Sequence, residues 1–194
     1  MAPFPFQLPQ LQHFVEFLYF QQVFASHELT QINQLWQAHQ SKPAQLEGGV
    51  LQDDQLRKSS VVGLESNPET RWIFERMSML VQQANQQRYH FDLRGIYEPL
   101  QLASYGEGDF FDWHLDFGVG ASSVRKLSLS VQLSEPDEYE GGDLEFKINN
   151  KTVKAPRERG NVIIFPSFIM HRVSPITKGQ RKSIVGWISG PPYR

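Results

Sequence analysis

Leu127-Ser128-Leu129-Ser130-Val131-Gln132-Leu133 alternates apolar and polar residues without a break. A β-strand sends successive side chains to opposite faces, so this run makes a strand with two unlike faces. Working outward, short runs of strand character recur from Leu100 onward, separated by turn chemistry. Glu140-Gly141-Gly142-Asp143 marks a turn leading into a strand at Leu144–Ile148, and Asn149-Asn150 marks the next turn. Residues 162–165 end at Pro166, and 183–188 form a last strand before Gly190-Pro191-Pro192. Strands at this spacing predict a β-sandwich or jelly roll rather than parallel βαβ units.

The first half has another texture. Residues 1–99 are rich in Gln and carry two helical patterns. One starts at Ser26, suited to an N-cap with Glu28 in the first turn, and runs to about Gln40 with Leu29, Ile32, Leu35 and Trp36 on one side. The other follows Asn67-Pro68, with Pro68 at the first helical position, and spaces Trp72, Ile73, Met77, Leu80, Val81 and Ala84 along one stripe. Both stripes read as core packing. Residues 13–19 and 59–64 read as strands. No repeat or low-complexity linker divides the chain. The expectation is therefore an α+β, mainly β, single domain over 1–194, with 1–99 as a helical support region and 100–190 as the core.

Composition narrows the function classes. Across 194 residues, Lys+Arg 19 against Asp+Glu 21 gives a net charge of −2, so no nucleic-acid partner is expected. With Cys 0, a disulfide scaffold, an iron–sulfur cluster, a thiolate zinc site and a Cys nucleophile are all excluded. Any metal must be held by His, Asp, Glu or backbone oxygen. No run approaches the roughly 20 apolar residues of a membrane span. The first basic residue is Lys42, which argues against a secretory signal. A soluble, cytoplasmic protein with no membrane partner is the expectation.

The densest chemical signal is Tyr105-Gly-Glu-Gly-Asp-Phe-Phe-Asp-Trp-His114-Leu-Asp116. Two residues apart on a strand, His114 and Asp116 aim an imidazole and a carboxylate at one point. His171, in Phe165-Pro-Ser-Phe-Ile-Met-His171-Arg172-Val173, lies just past a strand end and supplies a third ligand. Two His and one carboxylate make the facial triad of non-heme Fe(II) oxygenases, which leaves positions open for other ligands. Ten residues on, Arg181, Ser183, Val185 and Trp187 share a face of the last strand. A guanidinium and a hydroxyl two residues apart suit a carboxylate. His13, His27, His39 and His90 have no such partners and read as structural or solvated.

These motifs together resemble the Fe(II)- and 2-oxoglutarate-dependent dioxygenases, in particular their prolyl 4-hydroxylase-like branch. The resemblance covers about 100–188. It rests on Tyr105, Gly108, Phe111, His114 and Asp116, on Gly141-Gly142-Asp143-Leu144, on Phe165-Pro166-Ser167, on His171-Arg172-Val173, and on the run from Gly179 to Trp187. It implies a double-stranded β-helix, a jelly roll, with N-terminal helices packed against its major sheet. It implies His114, Asp116 and His171 as iron ligands, with Arg181 pairing the distal carboxylate of 2-oxoglutarate and Ser183 and Tyr105 hydrogen-bonding the same co-substrate. Fe(II), 2-oxoglutarate and O2, with ascorbate possible, are the implied cofactors.

The implied reaction hydroxylates an unactivated C–H bond of a peptidyl proline or amino-acid-like substrate and releases succinate and CO2. Trp187 stands where the family's nucleic-acid demethylases carry a second Arg, which argues against alkylated-base repair. The residues by themselves leave two rivals: a cupin-type metalloenzyme using the same triad, and a catalytically silent jelly-roll binding module. Leu127 and Trp187 either shape the pocket or are core. Arg172 meets either substrate or a surface carboxylate. Loops near 47–58, 117–125 and 135–141 are candidates to close over the site. Peptide or small-molecule substrate and oligomeric state stay open.

Overall fold

The computed structural model describes residues 16–38, 42–43 and 55–193. Within these, the first part of the chain forms β1 (Leu18–Phe20), α1 (Ser26–Ala38), β2 (Lys42–Pro43), β3 (Arg57–Lys58), β4 (Ser60–Leu64) and α2 (Arg71–Ala84). After a π-helical turn at Asn85–Tyr89 come β5 (Leu100–Tyr105), β6 (Phe110–His114), β7 (Arg125–Gln132), β8 (Tyr139–Gly141) and β9 (Leu144–Ile148). The last part forms β10 (Lys151–Lys154), β11 (Val162–Pro166), β12 (His171–Val173), β13 (Ile176–Gly179) and β14 (Arg181–Ser189). A seven-stranded sheet has the order β1-β11-β7-β14-β5-β4-β2, and a five-stranded sheet the order β10-β9-β12-β6-β3. β13 and β8 form a separate pair. Every pairing is antiparallel. This is the expected jelly roll.

The alternating run fixes how the layers stack. Leu127, Leu129 and Val131 of β7 join Ile164 and Ile184 in a cluster with Ile32 of α1 and with Ile73, Met77 and Val81 of α2. The two helices therefore cover the outer face of the larger sheet. The opposite face meets the smaller sheet through Ile163 and Phe165 against Leu144, Phe146 and Ile169. Ser128, Ser130 and Gln132, the polar half of the alternation, point to that interior and are as buried as the leucines. Polar residues buried this deeply need partners; Ser128 finds one in Ser167, and Gln132 finds one in Arg181. β14 has the same division, with Ile184 and Ile188 toward the helices and Arg181, Ser183 and Trp187 inward. Leu127 is thus core, with 0% exposure.

Local chemistry moved several boundaries. α1 is capped at Ala25, whose carbonyl accepts from Leu29 N–H at 3.0 Å. Glu28 reaches back to accept from Ala25 N–H at 2.8 Å, the acidic half of a capping box, which puts Ser26 inside the helix. Asn67 Oδ1 accepts from the N–H groups of Glu69 and Thr70, and its carbonyl accepts from Arg71 N–H, so Pro68 lies in a turn just ahead of α2, which starts at Arg71 rather than at Pro68. Regular α2 ends at Ala84. Arg76 of α2 clamps both helices, donating to Glu28 at 2.8 Å and to the Val23 carbonyl. The expected strand at 13–19 is β1, displaced to Leu18–Phe20, with residues 13–15 outside the described ones. His13 and His39 also lie outside them. At the Gly141-Gly142 turn both residues have positive φ (73° and 63°), and a Cβ on Gly141 would sit 2.1 Å from the Pro175 carbonyl oxygen. Among the described residues, no helix is long and apolar enough to cross a membrane.

Candidate active site

β6 and β12 pair so that His171 lies directly opposite His114. His171 therefore opens a three-residue strand of its own rather than trailing the one before it. Asp116 follows the end of β6. The N–H groups of Asp116 and Phe117 both donate to the Ser167 carbonyl at 3.0 Å, which ties the carboxylate to the turn that delivers His171. The Ser167 hydroxyl in turn meets the Ser128 hydroxyl at 3.0 Å. Asp116 Oδ1 lies 3.7 Å from His114 Nε2, and Oδ2 lies 3.4 Å from His171 Nε2. The ligand atoms of all three residues fall within 4.8 Å of one another.

The donor set suits a divalent metal. Each imidazole uses Nδ1–H on a backbone carbonyl, His114 on Asp112 at 2.7 Å and His171 on Ile169 at 2.8 Å. A carbonyl only accepts, so the proton sits on Nδ1 and the Nε2 lone pairs face Asp116. Burial, then the neighbouring His171, pushes the His114 pKa down to about 3, which keeps the ring neutral. Burial opposes ionisation of Asp116, while the Ser128 hydroxyl and the Arg125 guanidinium favour its carboxylate form. A neutral imidazole and an ionised carboxylate are the forms in which His and Asp bind a divalent metal. Phe111 stacks on the His114 ring with centroids 3.4 Å apart and planes 11° apart, and the Arg57 guanidinium lies 4.6 Å from the Phe111 centroid.

A narrow cavity runs inward from the triad, with Tyr105, Arg181, Ser183, Val185 and Trp187 along it. Arg181 is 1% exposed and heads the largest fully buried side chains. Its partners among the described residues are neutral: Gln132 Oε1 at 2.9 Å from Nη2, and Ser183 Oγ at 3.4 Å from Nη1. Its Nε has no partner. Tyr105 places its ring centroid 5.8 Å from the guanidinium carbon, and its hydroxyl has no hydrogen-bond partner among the described residues. A buried cation without a counter-ion is costly unless an anion completes it. The lining of this cavity, about 40 Å³ in volume, thus sets a metal-ligand cluster at one end and an uncompensated cation at the other, a chemistry that suits a metal-chelating carboxylate. The six residues singled out from sequence all converge here.

Outward from the triad opens a cleft of about 760 Å³ lined by Arg57, Glu98, Gln101, Phe117, Arg125 and Trp187, among others. Arg125 forms a fork on the Glu98 carboxylate, donates to the Asp116 carbonyl at 3.1 Å, and stacks 4.0 Å from the Trp187 ring centroid. Residues 117–122 belong to this cleft, whereas 135–141 line neither cavity and pair at β8 with β13 instead. Residues 47–54 lie outside the described ones. Arg172 faces away, bound to Glu145 at 2.7 Å and stacked 4.7 Å from Trp113.

Sequence reasoning missed Arg57, Glu98, Gln101, Arg125 and Gln132. Gln132 was readable in principle, since it shares the polar face of β7 with Ser128 and Ser130. The other four come from three separate segments, with Glu98 and Gln101 on one of them, and share no local pattern.

Residues 100–189 match the family model described as the 2OG-Fe(II) oxygenase superfamily. A PKHD-type hydroxylase of Hyphomonas neptunium is 38% identical over 96 residues, covering 47% of this chain and 43% of that protein. The chain thus spans less than half the length of that curated relative. A prolyl hydroxylase of Trichoplax adhaerens, solved in complex with a hypoxia inducible factor oxygen degradation domain peptide fragment, superposes with a TM-score of 0.75 at 18% identity, over 90% of this chain and 84% of that one. A Pseudomonas putida prolyl-4-hydroxylase superposes with a TM-score of 0.71 at 18% identity, over 91% and 93%. These two show a shared fold. Through residues 100–189, just under half of the chain, the protein is thus similar in sequence to the 2OG-Fe(II) oxygenase superfamily and to PKHD-type hydroxylases, and its fold is similar to that of the two prolyl hydroxylases.

Proposed function

We propose that the chain is a non-heme Fe(II)- and 2-oxoglutarate-dependent dioxygenase that hydroxylates an unactivated C–H bond of a peptidyl proline or amino-acid-like substrate, with release of succinate and CO2. The observation that carries this reading is the buried, uncompensated Arg181 guanidinium at the end of a cavity that starts at the His114–Asp116–His171 cluster. A cupin-type enzyme with the same triad gives that cation no task.

In this reading His114, Asp116 and His171 hold Fe(II). The bound metal with 2-oxoglutarate and O2 supplies the oxidation of the C–H bond. The protein contributes placement. Arg181 and Ser183 bind the distal carboxylate of 2-oxoglutarate, and the free Tyr105 hydroxyl donates to the same molecule. The backbone carbonyls of Asp112 and Ile169 hold both imidazoles in one tautomer throughout. Phe111, Phe165 and Trp187 line the walls and exclude water from the reacting end. The substrate enters by the outer cleft, which is within the range of organic-ligand sites. Arg125 links its wall to the Asp116 loop, so a substrate pressing on Glu98 or Trp187 bears on a metal ligand.

The test is turnover. Purified protein with Fe(II), 2-oxoglutarate, ascorbate and air is screened against proline-containing peptides and free amino acids for succinate release coupled to a mass gain of one oxygen. His171→Ala, folded by circular dichroism, should release none. Succinate release that survives this substitution, or folded wild type that decarboxylates 2-oxoglutarate with no candidate and no metal dependence, contradicts the proposal.

A further inference from the structure

Gln132 is 2% exposed on the inward face of β7, and both ends of its amide are committed. Nε2 donates to the Pro156 carbonyl at 3.3 Å, and Oε1 accepts from Arg181 Nη2 at 2.9 Å. The first bond decides the second: with the NH2 end held by a carbonyl, the oxygen end must face the guanidinium. The backbone is equally fixed, since Gln132 N–H donates to the Asn161 carbonyl and Gly160 N–H donates to the Gln132 carbonyl. Across the sheet, Gln132 pairs in register with Ser183, the other neutral partner of Arg181.

The consequence is electrostatic. A glutamate here would have nearly the same shape and would take Arg181 as a buried ion pair. The amide orients the cation and leaves its charge unspent. We propose that Gln132 is a positioning residue for the co-substrate: it aims Arg181 without neutralising it, and so sets the preference for a 2-oxo acid with a distal carboxylate over one without. This rests on the co-substrate reading above. Gln132 acts through Arg181.

The experiment uses Fe(II)-loaded protein without oxygen, comparing wild type, Gln132→Glu and Gln132→Met. Each is titrated with 2-oxoglutarate and with 2-oxopentanoate, which has a methyl group in place of the distal carboxylate. Binding is read from the visible absorption of the chelate and from the shift in melting temperature. Gln132→Glu should weaken 2-oxoglutarate by about 100-fold or more, as expected when a buried charge partner is lost. Its affinity for 2-oxopentanoate should stay within about threefold of wild type, since that acid makes no charge contact with Arg181. Gln132→Met should weaken 2-oxoglutarate about tenfold, the size of one charge-assisted hydrogen bond, again sparing 2-oxopentanoate.

Equal loss of both acids in either variant means a structural role and overturns the proposal, as does unchanged 2-oxoglutarate binding in Gln132→Glu. If Gln132→Glu fails to fold, Gln132→Met decides by the same selectivity. Wild type that binds neither acid overturns the co-substrate reading and this inference with it. Intact wild-type binding with an indifferent Gln132→Glu overturns the role of Gln132 alone.

Discussion

Replacing Arg181 with methionine should nearly abolish co-substrate binding while leaving the fold about as stable as before. Arg181 is 1% exposed, its Nε has no partner, and the groups it does touch are neutral. Burying a cation without a counter-ion costs several kcal/mol even after relaxation. Its hydrogen bonds to Gln132 and Ser183 return about 1.5–3 kcal/mol each. Methionine fills similar space and removes both terms, but strands Gln132 Oε1 at a cost of about 1–3 kcal/mol. The net change in unfolding free energy is therefore within about 2 kcal/mol of zero, of either sign. Co-substrate binding has no such cancellation. Losing a desolvated charge contact costs about 2–5 kcal/mol, or about thirtyfold to several thousandfold in Kd. Urea denaturation measures the first quantity, and oxygen-free titration of 2-oxoglutarate into Fe(II)-loaded protein measures the second. A stability loss above about 4 kcal/mol, with iron and 2-oxoglutarate affinities falling together, would make Arg181 a structural residue and refute the reasoning.

Three other perturbations probe different parts of the molecule. Gly186→Ala should destabilise by about 1–3 kcal/mol by overpacking, because the new Cβ would lie 2.3 Å from Leu100 Cδ2 under the helices; an unchanged denaturation midpoint would show that Leu100 yields freely. Asp116→Asn should weaken Fe(II) binding, measured by competition with a chromogenic chelator, by more than the about 10–100-fold that loss of an outer hydrogen-bond partner costs. Glu28→Gln tests the helix clamp through pH. Its hydrogen bond to Arg76, with that from Ala25 N–H, holds the Glu28 carboxyl below its ordinary pKa, so the stabilisation is present above the unfolded value and is lost as pH falls through the folded one. The variant should be about 0.5–1 kcal/mol less stable at neutral pH, with the gap closing below pH about 4; a gap that persists at acid pH would exclude the ion pair as its source.

What the sequence made legible is what local periodicity controls. The alternation at 127–133 and the i, i+2 spacing of Arg181 and Ser183 survive folding because side-chain direction in a strand depends only on the strand itself. The same holds for the apolar stripes of α1 and α2, which cover the larger sheet as their spacing required. Where neighbours decide, the sequence was mute. His171 sits in a strand of three residues that exists because β6 and β9 flank it, so no local pattern marks it as a strand. Ser26 has the chemistry of a helix cap, but Glu28 satisfies the preceding N–H instead, and the helix starts one residue earlier in hydrogen-bond terms. The polar face of β7 is buried against the site rather than solvated, which periodicity cannot distinguish. Arg57, Glu98 and Arg125 meet only because three distant segments border one cleft.

The central claim is that one cation held by His114, Asp116 and His171 shares a chelating diacid with Arg181. Oxygen-free absorption spectroscopy tests it directly. Fe(II) alone should leave the visible spectrum of the folded protein flat, and addition of 2-oxoglutarate should then produce a broad metal-to-ligand band that Asp116→Asn lacks and Arg181→Met shows only at far higher concentration. Folded wild-type protein that takes up Fe(II) yet develops no band at saturating 2-oxoglutarate would contradict the account.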